Sequence, residues 1–207
     1  IGFIGYTDHL VPRRQPPALS AGIRYDHALE SVAGHIRHLR EKENCTIIIL
    51  ITHMGLAQQI RLANDPAVEG TDLIIGADTH ERVRTPIAGR YAPVVECGAF
   101  GSFIGCIDLN IRNQRLDKID YQLLDVDPEK HRPDSSINRM LRKTREPHRL
   151  KLDQVLGKTT TPLVRYFVLE TPMDNLITDA IRWKTGSDIA LSNGFRFCQP
   201  LVATVEK

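Results

Sequence analysis

Seven consecutive residues, Cys45-Thr46-Ile47-Ile48-Ile49-Leu50-Ile51, constrain this chain more than any other feature. A half-exposed strand alternates apolar and polar side chains. This run has no polar face, and its β-branched residues favour extended backbone. It predicts a central strand of a parallel sheet covered on both faces. Parallel strands need crossover connections, usually helical, and the flanks supply them. Asp26 reads as the N-cap of a helix reaching Glu43, with Ala28, Leu29, Val32, Ala33, Ile36 and Leu39 on one 3.6-period face. A shorter helix spans about Leu56 to Ala63, and a second buried strand Asp72 to Ile75. Ile1 to Tyr6 is a further apolar strand. The Pro-, Gly- and Arg-rich stretch from Thr7 to Arg24 reads as a long loop, in which Asp8, His9, Arg13 and Arg14 are candidates for function.

After His80 the pattern changes. Val94-Val95-Glu96, Phe103 to Ile111 and Ile119 to Leu124 read as strands without helices between them. The polar turn Arg112-Asn113-Gln114-Arg115 joins the last two as an antiparallel hairpin. The first part is thus expected to be βαβαβ passing into an antiparallel meander, one mixed sheet covered by helices. Asp125 to Asp134 is a polar connection, and Ser135 to about Val155 is helical but interrupted at Pro147. Lys158 to Arg165 reads as a strand, Met173 to Trp183 as a helix and Asp188 to Leu191 as a short strand. Three parts follow: 1–130, a linker helix over 131–156, and 157–207, which is too small to bury a core of its own and reads as an incomplete domain.

The chain is 42% hydrophobic and 25% charged, the balance of a globular protein. A net charge of +2 with dispersed Lys and Arg gives no support to a nucleic-acid partner. The cluster Arg139, Arg142, Lys143 and Arg145 reads as a solvated helix face. The four cysteines show no C-x-x-C spacing and define no disulfide framework. No apolar stretch reaches the length of a membrane span.

Two segments carry the chemistry. Thr52-His53-Met54-Gly55 and Gly76-Ala77-Asp78-Thr79-His80 each follow a buried strand. Open parallel sheets place their ligands outside the carboxyl ends of the strands, and His and Asp are metal-ligand types. Gly55 and Gly76 allow close backbone approach. The histidines are either metal ligands or strand-end residues held by hydrogen bonds. Asp78-x-His80 favours the former, because a carboxylate and an imidazole two residues apart can serve neighbouring ions. His35 and His38 share a helix with Arg37, Arg40 and Lys42, which disfavour a cation.

The run Ile47 to His80, with its Thr-His-Met-Gly, its Val68-Glu69-Gly70-Thr71-Asp72-Leu73-Ile74-Ile75-Gly76 and its Asp78-Thr79-His80, resembles the second half of the calcineurin-like metallophosphoesterase domain of 5′-nucleotidases. That family shows Ser/Thr-His-x-Gly, then a Gly-Ile-Asp-hydrophobic stretch leading into Gly-Gly-His-Thr-His. Glu170-Thr171-Pro172-Met173-Asp174-Asn175-Leu176-Ile177-Thr178-Asp179-Ala180 resembles the family's Thr-Pro-x-x-Asn-Leu-x-x-Asp-Ala, and Asp188 to Gly194 continues the match.

The resemblance implies an α/β fold: the C-terminal half of a four-layer α/β/β/α metallophosphoesterase domain, a linker helix and the incomplete start of an α+β substrate-binding domain. It implies two divalent ions (Mn, Zn or Mg), with His53, Asp78 and His80 among their ligands. It also implies a small phosphate ester as substrate, most directly a nucleoside 5′-phosphate, and a periplasmic or extracellular location. Asp78 stands where the family has His, which favours Mn²⁺ or Mg²⁺ over Zn²⁺. Asn193-Gly194-Phe195-Arg196-Phe197 replaces the family's Asn-Gly-Gly-Gly-Ile-Arg. Asn193 and Arg196 remain substrate-binding candidates, since a guanidinium matches the oxygens of an anion in a fork. The Gly-Phe-Arg form is similar to the thiosulfohydrolases of sulfur oxidation, an alternative activity. The family's N-terminal Asp-x-His and Gly-Asn-His-Glu segments have no counterpart ahead of Ile47. A missing N-terminal segment or a companion chain is therefore expected, and the chain alone is expected to be inactive. The remaining alternative is a non-catalytic fragment or subunit of a larger assembly.

Overall fold

The isoleucine run lies at the centre of a parallel sheet. The computed structural model describes residues 1–167, 169–193 and 200–202. They divide into two compact units, Ile1–Arg132 and Pro133–Lys207.

In the first unit, β1 (Gly2–Thr7), β2 (Ile48–His53), β3 (Leu73–Ala77) and β4 (Val94–Glu96) form one four-stranded sheet in that order, every neighbouring pair parallel. The period of two splits β2 between two cores. Ile48 and Leu50 face α2 (Ala28–Glu41) and α3 (Leu56–Ala63), packing with Val32, Ile36, Leu62 and Ile74. Ile47 and Ile49 face the other way, with Leu73 and Val95, onto Ile107, Leu109, Ile119 and Tyr121. Those four belong to β5 (Phe103–Arg112) and β6 (Arg115–Asp125), an antiparallel pair. Ile47, Ile48, Leu50, Leu73 and Ile74 are completely buried, and such side chains contribute about 1.5–3 kcal/mol each. Helices, sheet and hairpin make three layers, α/β/β.

Several expectations need correction. Val94–Glu96 does not begin an antiparallel meander: it extends the parallel sheet, and β5–β6 is a separate two-stranded sheet. A three-residue apolar segment carries no signal for its partner's direction; burial of Val94 and Val95 against both cores decides it. The N-cap of α2 is His27, whose Nδ1 accepts from Leu29 N–H at 3.2 Å. Asp26 is taken by Arg24, whose Nη2 donates to its carboxylate at 2.6 Å. The loop after β1 contains a short helix, α1 (Val11–Arg14). The Arg112–Arg115 turn is as expected, with Asn113 and Gln114 both at positive φ (50° and 61°), the pattern of a two-residue hairpin loop.

The second unit contains α4 (Ser135–Arg145), a 3₁₀ turn that starts at Glu146, α5 (Arg149–Leu152) and α6 (Pro172–Thr185). Pro147 sits at the start of that 3₁₀ turn, where its missing N–H costs least. Asp134 caps α4 by accepting from Ser136 and Ile137 N–H. The strands expected at Lys158–Arg165 and Asp188–Leu191 do not form among the described residues; only Leu163 bridges to Leu201. No described helix is long and apolar enough to cross a membrane.

Candidate functional site

The sheet register sets Thr7, His53 and Ala77 side by side at the carboxyl ends of β1, β2 and β3. Asp8 N–H donates to His53 O at 2.9 Å and Gly55 N–H to Ala77 O at 3.1 Å, so the chain leaves all three strands under control. Gly55 has φ +81°, and a Cβ there would stand 3.1 Å from the Thr79 methyl. Gly76 has a different reason. The side-chain amide of the fully buried Gln59 lies over it, donating from Nε2 to Ala77 O at 2.8 Å. The close approach is by a side chain, not by backbone.

Asp78 and His80 both have positive φ, 102° and 61°. For residues other than glycine such a backbone costs about 1–3 kcal/mol and needs an external constraint. Thr79 supplies it: its Oγ1 accepts from Leu56 N–H at 3.0 Å, completing the N-terminus of α3 from outside. Glu96, at the end of β4 and 1% exposed, accepts at Oε1 from Glu81 N–H (2.9 Å) and faces Thr79 Oγ1 at 3.4 Å. The turn carrying Asp78 and His80 is thereby tied to α3 on one side and β4 on the other. Phe100 is a third strained residue, φ 62°, half exposed, with its ring edge-on to His80 at 5.6 Å between centroids.

His53 Nε2 and Asp78 Oδ1 are 3.6 Å apart. Asp8, buried beneath the loop, accepts from Leu10 N–H at 2.9 Å and lies 2.6 Å from Arg14 Nη1 at its other oxygen, close but not aligned as a hydrogen bond. Arg14 Nη1 is also 3.8 Å from Asp78 Oδ2. One guanidinium thus spans two carboxylates, leaving surplus negative charge beside the His53 ring. The pair His53 and Asp78 is spaced like two neighbouring ligands of one cation. Two such groups do not make a metal centre. No group of three or more His, Cys, Asp or Glu among the described residues could hold an ion, whereas a protein metal site generally takes three or four protein ligands. His53, Asp78 and His80 therefore share one end of the sheet without converging.

The loop candidates Asp8 and Arg14 do reach this end, and His9 Nδ1 lies 3.8 Å from Asp8 Oδ1. Sequence reasoning missed Gln59, Glu96 and Phe100. A Glu closing an otherwise apolar strand was the available signal for Glu96.

In the second unit, Arg165 joins Asp174 and Ser192 (2.8 Å each) and the carbonyl of Asn193 (3.3 Å). Ser192 and Thr171 hydroxyls donate to Asp174 at 2.6 and 2.7 Å. These bonds, Ser192 first, hold the Asp174 carboxyl at a pKa of about 2. Asn193 is therefore fixed through its backbone. Arg196 lies outside the described residues.

No protein-family profile matches the chain. Among curated proteins it is 27% identical over 188 residues to the trifunctional nucleotide phosphoesterase YfkN of Bacillus subtilis, covering 83% of this chain and 12% of that protein. It is 27% identical over 206 residues to the endonuclease YhcR of the same organism, covering 94% of this chain and 17% of the relative. Its fold is shared by solved structures, three of which follow. The sulfate thiohydrolase SoxB of Thermus thermophilus superposes with a TM-score of 0.79 at 20% identity, over 89% of this chain and 33% of its own. A 5′-nucleotidase precursor from Thermus thermophilus gives 0.69 at 22% identity, over 79% and 36%. A 5′-nucleotidase-like protein from Staphylococcus aureus gives 0.56 at 18%, over 94% and 42%. The chain spans less than half the length of each of these five proteins.

Proposed function

On the fold of the 5′-nucleotidases, which this chain shares, we propose that the protein containing these residues is a metal-dependent phosphomonoester hydrolase acting on nucleoside 5′-phosphates. The observation that carries the reading is the His53–Asp78 pair, 3.6 Å apart at the strand ends with surplus negative charge. His53, Asp78 and His80 would contribute to holding two divalent ions, with further ligands from outside the described residues. Such ions polarise phosphoryl oxygens and lower the pKa of bound water. Arg14 neutralises Asp8 and part of Asp78, which limits repulsion of an anionic substrate. Thr79 and Glu96 hold the turn that presents Asp78 and His80. Asn193 and Arg196 are assigned to the substrate's anionic group on the sequence resemblance alone, as is an exported location.

The test is hydrolysis of AMP with Mn²⁺ by the parent polypeptide, compared with its His53→Ala variant. Phosphate release that falls at least tenfold in the variant supports the reading. An intact parent that is inert toward AMP and releases sulfate from a carrier-protein conjugate would make it a thiosulfohydrolase instead.

A further inference from the structure

A cavity of about 460 Å³ opens beside the carboxyl ends of β1 and β2, on the helix side of the sheet. Its lining includes none of His53, Asp78 and His80, so it is not the site described above. Its volume falls within the range of small-molecule sites, roughly 300–1,000 Å³. Two of its properties indicate an occupant.

The first is an apolar lining. Leu10, Leu29, Met54 and Leu62 supply its walls, with Met54 and Leu62 almost wholly buried. Two imidazoles, His9 and His27, belong to the lining, their centroids 4.4 Å apart and tilted by 57°. Because His27 Nδ1 accepts from Leu29 N–H, its neutral ring carries the proton on Nε2 and keeps a donor to spare.

The second is an unmatched charge. Arg61 projects from the last turn of α3 into the lining and has no carboxylate within ion-pair distance among the described residues. Asp65, the acid in the lining, is turned to a cap, its Oδ1 accepting from Ala67 N–H at 2.8 Å, and does not pair with Arg61. Gln58 leans toward Asp8, 3.4 Å away. The cavity thus offers a guanidinium fork, a ring N–H and apolar walls.

We propose that this cavity binds a small molecule with a flat aromatic ring and one anionic group, the ring between Leu29, Met54 and the histidines and the anion on Arg61. A fork of charged donors fits a carboxylate or a phosphate equally well. A neutral ring forfeits Arg61, and a bare anion forfeits the apolar lining.

Met54, Met140 and Met173 are the chain's three methionines, so methyl-labelled methionine gives one reporter inside the cavity and two outside it. The 207-residue chain is titrated with benzoate, phenyl phosphate, benzamide and inorganic phosphate. Expected is a saturable shift of the Met54 methyl alone, with benzoate or phenyl phosphate binding at least about tenfold more tightly than benzamide. Whichever of the two anions binds more tightly identifies the anionic group. Arg61→Leu, at an exposed position, weakens that ligand about tenfold while leaving the Met54 shift of the free protein in place. The proposal is overturned if Met54 does not respond at millimolar ligand, if benzamide binds as well as the anions, or if Arg61→Leu leaves affinity unchanged. None of these outcomes depends on the phosphoesterase reading.

Discussion

Gly76→Ala should be the most damaging one-methyl change in the sheet. The new Cβ would stand 2.0 Å from Gln59 Oε1, 2.4 Å from its Cδ and 2.6 Å from its Nε2. No ordinary packing tolerates such contacts. Gln59 cannot retreat freely: it is completely buried in α3 and its Nε2 is bonded to Ala77 O. Gly76 is not among the glycines with positive φ, so the penalty is steric rather than conformational. Overpacking plus the lost buried hydrogen bond gives about 2–4 kcal/mol of destabilisation. Gln59→Ala removes the obstacle, and Ala77 O keeps its bond from Gly55 N–H. The double variant should therefore be more stable than Gly76→Ala alone, by about 1–3 kcal/mol. Urea unfolding followed by far-UV circular dichroism measures both. Additive losses in the double variant, or a single-variant loss below about 0.5 kcal/mol, would refute the packing argument.

Arg14→Leu leaves the buried Asp8 carboxylate without its ion-pair partner; because Arg14 is half exposed, the loss should be about 1–2 kcal/mol, largely recovered by adding Asp8→Asn. Phe100→Gly and Phe100→Ala lose the same ring, so the φ of +62° should make the glycine variant about 1 kcal/mol the more stable, readable in thermal melts. The Asp174 carboxyl should titrate near pH 2, below its ordinary 3.8. Its contribution to stability is then complete above about pH 4 and is lost as pH falls through about 2; side-chain carboxyl-carbon NMR showing a midpoint near 3.8 would contradict this, and Asp174→Asn should reduce the pH slope in that window, the remainder coming from Asp125, Asp127 and Asp134, whose carboxyls are also lowered.

What was legible in the sequence was whatever burial writes as a pattern. The isoleucine run announced β2 because both of its faces are covered, and α3 matched its expected bounds of Leu56 to Ala63. Partner choice was not legible: Val94-Val95-Glu96 looks the same whether its neighbour runs parallel or antiparallel. His53 and Asp78 could be found because each follows a strand, and their 3.6 Å approach follows from adjacent strands ending together. Gln59 and Phe100 could not, since their importance lies in what they touch across the fold. The short strands expected around Lys158 and Asp188 illustrate the same limit: alternating side chains permit a strand, but a ladder needs a partner.

The account rests on the strand ends being built to hold cations, and paramagnetic broadening of histidine ring signals by substoichiometric Mn²⁺ tests that most directly. His53 and His80 should broaden first, and Asp78→Asn should weaken the effect at His53. Broadening that is as strong at His35, His38 and His131, or unchanged by Asp78→Asn, would contradict it.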